Sequence, residues 1–221
     1  HSGHQLLENP RFVERLELLA TQLQQPLPVV QARARLAAET LSTVLNPAFG
    51  ALSDKVFAPL FTRAWTVDAD MDALARLKQA NRTTPLVFLP THRSYADPFI
   101  MAQILRDAGM PRNHALGGEN LGFFPFGTII RRTGGVMIRR SFQDDQVYKF
   151  VVREYLHFLT AQGINLEWYM EGGRSRTGKL RPPKYGLLRY LVDSFDPVRD
   201  LLLVPVSITY DQLHEVGMMA A

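Results

Sequence analysis

Cysteine is absent from the 221 residues. That excludes a cysteine nucleophile and any thiolate metal site, and it says little about redox compartment. No apolar run reaches the roughly 20 residues that a membrane-spanning helix needs. The longest uncharged stretch, Thr40–Ser53, is broken by Asn46, Pro47 and Gly50. No signal peptide opens the chain, and His1-Ser2-Gly3-His4 reads as a tag remnant rather than a targeting segment. No internal repeat or low-complexity tract is present. With 46% hydrophobic residues the chain can bury the core of one domain, or of a domain plus a helical subdomain.

The net charge of +4 is small but unevenly spread. Residues 131–189 hold twelve Lys/Arg against five Asp/Glu, and the remainder of the chain has an acidic excess. A basic region of this kind attracts nucleic acid, an anionic membrane surface or a phosphorylated substrate, or is simply a solvated face.

Hydrophobic spacing divides the chain in two. Residues 1–80 read as a helical subdomain. Phe12, Leu16, Leu19 and Leu23 fall at helical spacing over Arg11–Gln22, before Pro26 and Pro28. Val29–Leu45 forms a second helix ending at Asn46-Pro47. Asp54 is placed to cap a segment carrying Val56, Phe57, Leu60 and Phe61, and Asp70 to cap Met71–Ala80. From residue 81 to 221 short apolar runs alternate with helical patterns. Strands are expected at Pro85–Pro90, Ala115–Leu116, Val136–Ile138, Leu166–Met170 and Leu201–Tyr210. Helices are expected at Pro98–Asp107, Gln146–Thr160 and Tyr185–Val192. The alternation predicts an α/β domain with a largely parallel central sheet flanked by helices. The chain stops at Met218-Met219-Ala220-Ala221 without a closing element, so a longer native polypeptide is expected.

Glu171-Gly172-Gly173-Arg174-Ser175-Arg176-Thr177-Gly178-Lys179 follows the fourth predicted strand. Glycines let a backbone turn tightly beside a ligand, and arginine forks suit phosphate oxygens. The segment from Gly173 to Lys179 fits G-x-x-x-x-G-K, but Leu180 stands where a nucleotide-binding loop needs Ser or Thr, and Pro182-Pro183 prevents the helix that should follow. Thr177 likewise breaks the G-x-S-x-G pattern around Ser175. An anion-binding turn and a basic surface turn remain as readings.

Thr91-His92-Arg93-Ser94-Tyr95-Ala96-Asp97-Pro98 follows the first strand. Pro98 suits the opening of a helix, with Asp97 as its N-cap. His92 then lies at a strand's carboxyl end, where α/β domains build sites. A loop reversal would bring Asp97 to one imidazole nitrogen and leave the other as a base. The plainer reading is a capping aspartate beside an incidental histidine.

His92…Asp97, then Gly135-Val136-Met137-Ile138-Arg139-Arg140, then Glu171–Lys179, then Val204-Pro205-Val206 resembles the four ordered blocks of the glycerol-3-phosphate acyltransferase family over about residues 85–210. The third block is the most specific. Related lysophosphatidate acyltransferases carry a shorter Glu-Gly-Thr-Arg there, so this form resembles the glycerol-3-phosphate or dihydroxyacetone-phosphate branch. Met137 departs from the aromatic residue of many members. The resemblance implies acyl transfer from acyl-CoA or acyl carrier protein to the sn-1 hydroxyl of glycerol 3-phosphate, without metal or cofactor. It also implies a peripheral position on the cytoplasmic side of a membrane, and no nucleic-acid partner. His92 would be the base and Asp97 its orienting partner. Arg139, Arg174 and Arg176 would hold phosphate within the Glu171, Gly172, Gly173 turn, with Ser175 as a hydroxyl donor.

Other roles stay open. Arg93 either positions a substrate or is solvated. Ser94 leaves a covalent intermediate conceivable. Arg140 is structural or faces the donor's phosphates, and Lys179 is a further donor or acceptor contact. Glu171 pairs with an arginine to stiffen the turn, or assists catalysis. Pro205 shapes an acyl tunnel wall. Gly122–Gly127, with three phenylalanines, is core or acyl pocket. Dihydroxyacetone phosphate is the alternative acceptor, and an inactive basic module binding anionic lipid or nucleic acid is the alternative class.

Overall fold

A computed structural model of the protein describes residues 2–44, 46–56, 66–94, 96–118, 126–139, 144–174, 179–195 and 199–211. The chain opens with helices α1 (Ser2–Leu7), α2 (Pro10–Gln22), α3 (Leu27–Leu41), α4 (Pro47–Val56) and α5 (Met71–Ala80). Strands and helices then alternate: β1 (Leu86–Pro90), α6 (Asp97–Asp107), β2 (His114–Gly118), α7 (Phe126–Arg132), β3 (Val136–Ile138), α8 (Gln146–Ala161), β4 (Leu166–Glu167), α9 (Gly186–Asp193) and β5 (Leu202–Val206). The strands form one sheet in the order β3-β2-β4-β1-β5, and every pairing is parallel. The α/β class expected from the alternation is therefore present.

Local chemistry starts several helices. Asn9 Oδ1 accepts from Arg11 N at 3.0 Å ahead of α2, Asp70 Oδ1 from Ala73 N at 2.8 Å ahead of α5, and Asp145 Oδ1 from Tyr148 N at 2.9 Å ahead of α8. Asn46-Pro47, expected only to end a helix, also begins one: Asn46 Oδ1 accepts from Phe49 N, and Pro47 is the first residue of α4. Asp54 consequently lies inside α4 instead of capping a later segment, and Phe57, Leu60 and Phe61 are outside the described residues. The strands expected at Leu166–Met170 and Leu201–Tyr210 pair over shorter spans, because both chains peel away toward the site at their carboxyl ends.

Ser2–His4 is not an appendage. Ser2 Oγ donates to Thr43 O at 3.1 Å and lies 2.6 Å from Tyr155 Oη. Gly3 is buried against α3, where a Cβ would meet Ala38 O at 2.5 Å. The missing side chain is what lets α1 close on α3.

Alternate residues of the strands face two apolar layers. Val87, Leu116, Val136, Ile138, Leu166 and Trp168 pack with α1–α3, α8 and α9 in one buried cluster. Leu86, Phe88, Val204 and Ile208 pack on the other face with Leu74 of α5 and Met101 and Leu105 of α6. Val30, Ala34, Ala37 and Ala38 of α3 are buried to 2% exposure or less, and their small size draws α3 close to α8. Among the described residues no helix is long and apolar enough to cross a membrane.

Asn165 sets the level of the central strands. Its Oδ1 accepts from Leu86 N at 2.9 Å and Asn81 Nδ2 at 2.8 Å, its Nδ2 donates to Asn81 Oδ1, and its carbonyl accepts from His114 N. Asn165→Ala leaves the buried Leu86 N–H without an acceptor and is expected to cost about 1–3 kcal/mol in urea unfolding.

His114, 6% exposed on β2, has a pKa lowered by burial to about 4. The unfolded imidazole takes a proton near pH 6.5, whereas the folded one refuses it until about pH 4. Stability is therefore complete above the higher value and falls as pH drops between the two, by at most roughly 3 kcal/mol. Unfolding of His114→Phe followed from pH 7 to 4 should show a flatter dependence than the parent.

Candidate active site

The strand register brings the carboxyl ends to one edge of the sheet. Pro90 is opposite Val206, Phe88 opposite Glu167, and Gly118 opposite Ile138. The segments leaving them are Thr91–Ser94, Ser207–Tyr210, Trp168–Arg174 and Arg139.

His92 and Asp97 meet there. His92 Nδ1 lies 2.9 Å from Asp97 Oδ2, which also accepts from Arg93 N at 2.7 Å and Ser94 N at 2.9 Å. Asp97 Oδ1 accepts from Tyr210 Oη. The carboxylate is fully buried, while the His92 side chain is 18% exposed. An ionised carboxylate only accepts, so Nδ1 carries the proton and Nε2 is left as the basic nitrogen. The expected loop reversal is present, but Asp97 is not the helix cap. Ala96 occupies that position without a side-chain bond, and Asp97, the first residue of α6, turns its carboxylate back to the loop's own N–H groups.

A second buried group lies beneath the histidine. The His92 and Tyr169 rings are 4.2 Å apart between centroids. Tyr169 Oη donates to Glu167 Oε1 at 3.1 Å, and Asn113 Nδ2 donates to Glu167 Oε2 at 3.0 Å. Burial pushes the Glu167 carboxyl up, against the two hydrogen bonds that pull it down. Burial, then the charge of Glu167, holds Tyr169 well above an ordinary phenol, so it stays a donor. Sequence reading missed Tyr169, Glu167 and Tyr210. The two-residue period along Glu167-Trp168-Tyr169 carried a signal for the first pair; nothing local signalled Tyr210.

Glu171 is 6% exposed, and its Oε1 accepts from His92 N at 3.2 Å. Among the described residues its partner is thus the histidine backbone rather than an arginine, and Oε2 is buried with no partner. Gly172 has φ +62°, a conformation that favours glycine. Gly173 and Arg174 are half-buried and Lys179 is exposed. Ser175, Arg176 and Arg140 lie outside the described residues, as does most of Gly122–Gly127.

The remaining candidates are spread wider. Arg139 N donates to Tyr148 Oη at 3.0 Å, its Nη1 lies 3.5 Å from Asp145 Oδ2, and its guanidinium sits 4.6 Å from the Tyr148 ring centroid. β3 is three strands from β1, roughly 14 Å across the sheet. Arg139 is therefore at the same edge as His92 without adjoining it. Arg93 is half-buried with its Nε unpartnered. Ser94 is fully buried, its Oγ accepting from Ala96 N at 3.0 Å inside the loop. Pro205 is exposed on the edge strand β5, opposite Leu89, where a missing N–H costs no ladder bond. Among the described residues no three His, Asp or Glu side chains converge to hold a metal ion.

Residues 74–209 match the family model described as Acyltransferase. The chain belongs to the acyltransferase family. This acyltransferase is 39% identical over 217 residues to proteins named "Putative acyltransferase plsB1" in Mycobacterium bovis and in two strains of Mycobacterium tuberculosis. The alignment takes in 97% of this chain and 35% of each relative, so the chain spans about a third of their length.

Asp97→Asn tests whether the electrostatics of the His92–Asp97 pair matter to acyl transfer. An amide oxygen can replace Oδ2 toward the two N–H groups, with the amide nitrogen facing Tyr210 Oη, which also accepts. The expected result is a folded protein by circular dichroism whose acyl-transfer rate falls roughly 10²–10⁴-fold.

Proposed function

We propose that this acyltransferase moves a fatty acyl group from a thioester donor, acyl-CoA or acyl carrier protein, to the sn-1 hydroxyl of glycerol 3-phosphate. The product is 1-acyl-glycerol 3-phosphate, the first intermediate of phospholipid synthesis. The observation that carries the reading is the buried Asp97 carboxylate 2.9 Å from Nδ1 of a partly exposed His92, whose backbone N–H donates to Glu171 of the glycine turn.

His92 Nε2 takes the proton from the acceptor hydroxyl as its oxygen attacks the thioester carbonyl. Asp97 keeps the ring oriented and stabilises the imidazolium. The tetrahedral intermediate collapses with loss of thiolate, which recovers the proton from His92. A thiol with a pKa near 8.5, the cysteine reference, leaves with little acid assistance. A serine acyl-enzyme has no place in this scheme, since Ser94 is buried with its Oγ turned into the loop. The glycine turn with Arg174 and Arg176 binds the acceptor's phosphate. Dihydroxyacetone phosphate shares that phosphate, and acceptor competition separates the two. The reading carries a peripheral, cytoplasm-facing membrane location, because donor and product are both amphiphiles.

The test is CoA release from palmitoyl-CoA with and without glycerol 3-phosphate, in detergent and on lipid vesicles. Acceptor-dependent release is expected in the parent and abolished in His92→Ala. Arg174→Ala is expected to raise the acceptor KM by the equivalent of about 1.5–3 kcal/mol. A parent without acceptor-dependent release, also within a longer stretch of the polypeptide, would discard the reading.

A further inference from the structure

The glycine turn is closed by a residue that no sequence motif singled out. The chain leaves the sheet at Met170, runs through the turn and returns so that Lys184 N donates to Met170 O at 2.6 Å. This bond pins the two ends of the excursion together. Lys184 then lays its side chain over Gly172. A Cβ at Gly172 would lie 3.0 Å from Lys184 Cδ and 3.4 Å from Nζ. Gly172 is favoured by its φ of +62°, and its missing side chain leaves the space that the lysine stem crosses. Arg181 braces the next residue: a Cβ at Gly173 would lie 3.1 Å from Arg181 Nη1, which donates to Arg174 O at 3.5 Å.

Lys184 is exposed, and among the described residues its ammonium makes no hydrogen bond or ion pair. A lysine ammonium held in place by its stem is able to bind a phosphate as a point charge. The Arg139 guanidinium, by contrast, faces Asp145 and stacks on Tyr148. Glu171, adjacent to Gly172, accepts the His92 N–H, so the lysine's seat lies one residue from a group touching the base.

We propose that Lys184 is a phosphate-binding residue of the acceptor site, seated on Gly172 so that its ammonium faces the anion held by the glycine turn. This rests on the acyl-transfer reading above and adds a specificity residue to it. Lysine supplies charge, while the stem's contact with Gly172 fixes where that charge stands.

The experiment compares the parent with Lys184→Met, Lys184→Arg and Arg189→Gln in acceptor-dependent CoA release, and measures inorganic phosphate as a competitive inhibitor against glycerol 3-phosphate. Methionine keeps an unbranched apolar stem over Gly172 and removes the charge, so the turn stays packed. Lys184→Met is expected to raise the acceptor KM and the phosphate Ki together, each at least about tenfold, with the donor KM unchanged. Lys184→Arg should recover part of both. Arg189→Gln, an exposed helix position paired with Asp193 at 3.7 Å, should match the parent. A parent-like acceptor KM and phosphate Ki in Lys184→Met would overturn this inference and leave the acyl-transfer reading standing. A parent that releases CoA without dependence on the acceptor would remove that reading and this one with it. A fall in kcat alone, with the phosphate Ki unmoved, would make Lys184 a brace of the turn and overturn its role as a phosphate ligand.

Discussion

A fully buried carboxylate is the constraint around which this site is built. Taking a charge such as Asp97 out of water costs on the order of several kcal/mol unless donors replace the lost solvent. Four do: the Arg93 and Ser94 N–H groups, His92 Nδ1 and Tyr210 Oη. The two backbone donors reach Asp97 only when the loop from Thr91 to Ala96 reverses on itself. Satisfying the charge and aiming the imidazole are consequently one folding event. Tyr210 comes from beyond β5, so the edge strand must be docked before the fourth donor is in place.

The rest of the molecule supplies level and backing for that event. Asn165 ties the amino ends of β1, β2 and β4, which fixes where their carboxyl ends emerge. Tyr169, Glu167 and Asn113 form a hydrogen-bonded layer under the His92 ring. Satisfied polar groups in a low-dielectric interior hold one arrangement against alternatives, since each lost partner exposes an uncompensated dipole or charge. Apolar clusters cover the two faces of the sheet on either side of these groups.

Charge in this chain is divided by geometry rather than by sequence. Residues 131–189 contain the basic excess, yet its members do different work. Arg139 and Arg33 both converge on Asp145, which also caps α8, so this arginine joins the third strand to the helical layer. Arg153 and Arg189 sit on α8 and α9. Arg174, Arg181 and Lys184 gather at the glycines after β4, where absent side chains leave room for long cationic stems. The same count of positive residues thus separates into ties between elements and a cluster at the glycine turn.

Periodicity and turn chemistry acted locally, and what they determined was local. The alternation of apolar strands with helical patterns was sufficient for an α/β fold. The helix cap at Asp70 and the spacing of His92 to Asp97 were also legible, because the partners lie within five residues of one another. The packing of Ser2 and Gly3 was not legible locally, because its partners, Ala38, Thr43 and Tyr155, are distant in the chain. Asp97 looked like a cap because its sequence position allows one. Its carboxylate turned the other way because the loop offered two N–H groups and a histidine. Only the tertiary structure decided the strand order and the 113-residue reach from Tyr210 to Asp97. Those depend on register and on which face each side chain leaves, quantities set by packing between segments that no local pattern relates.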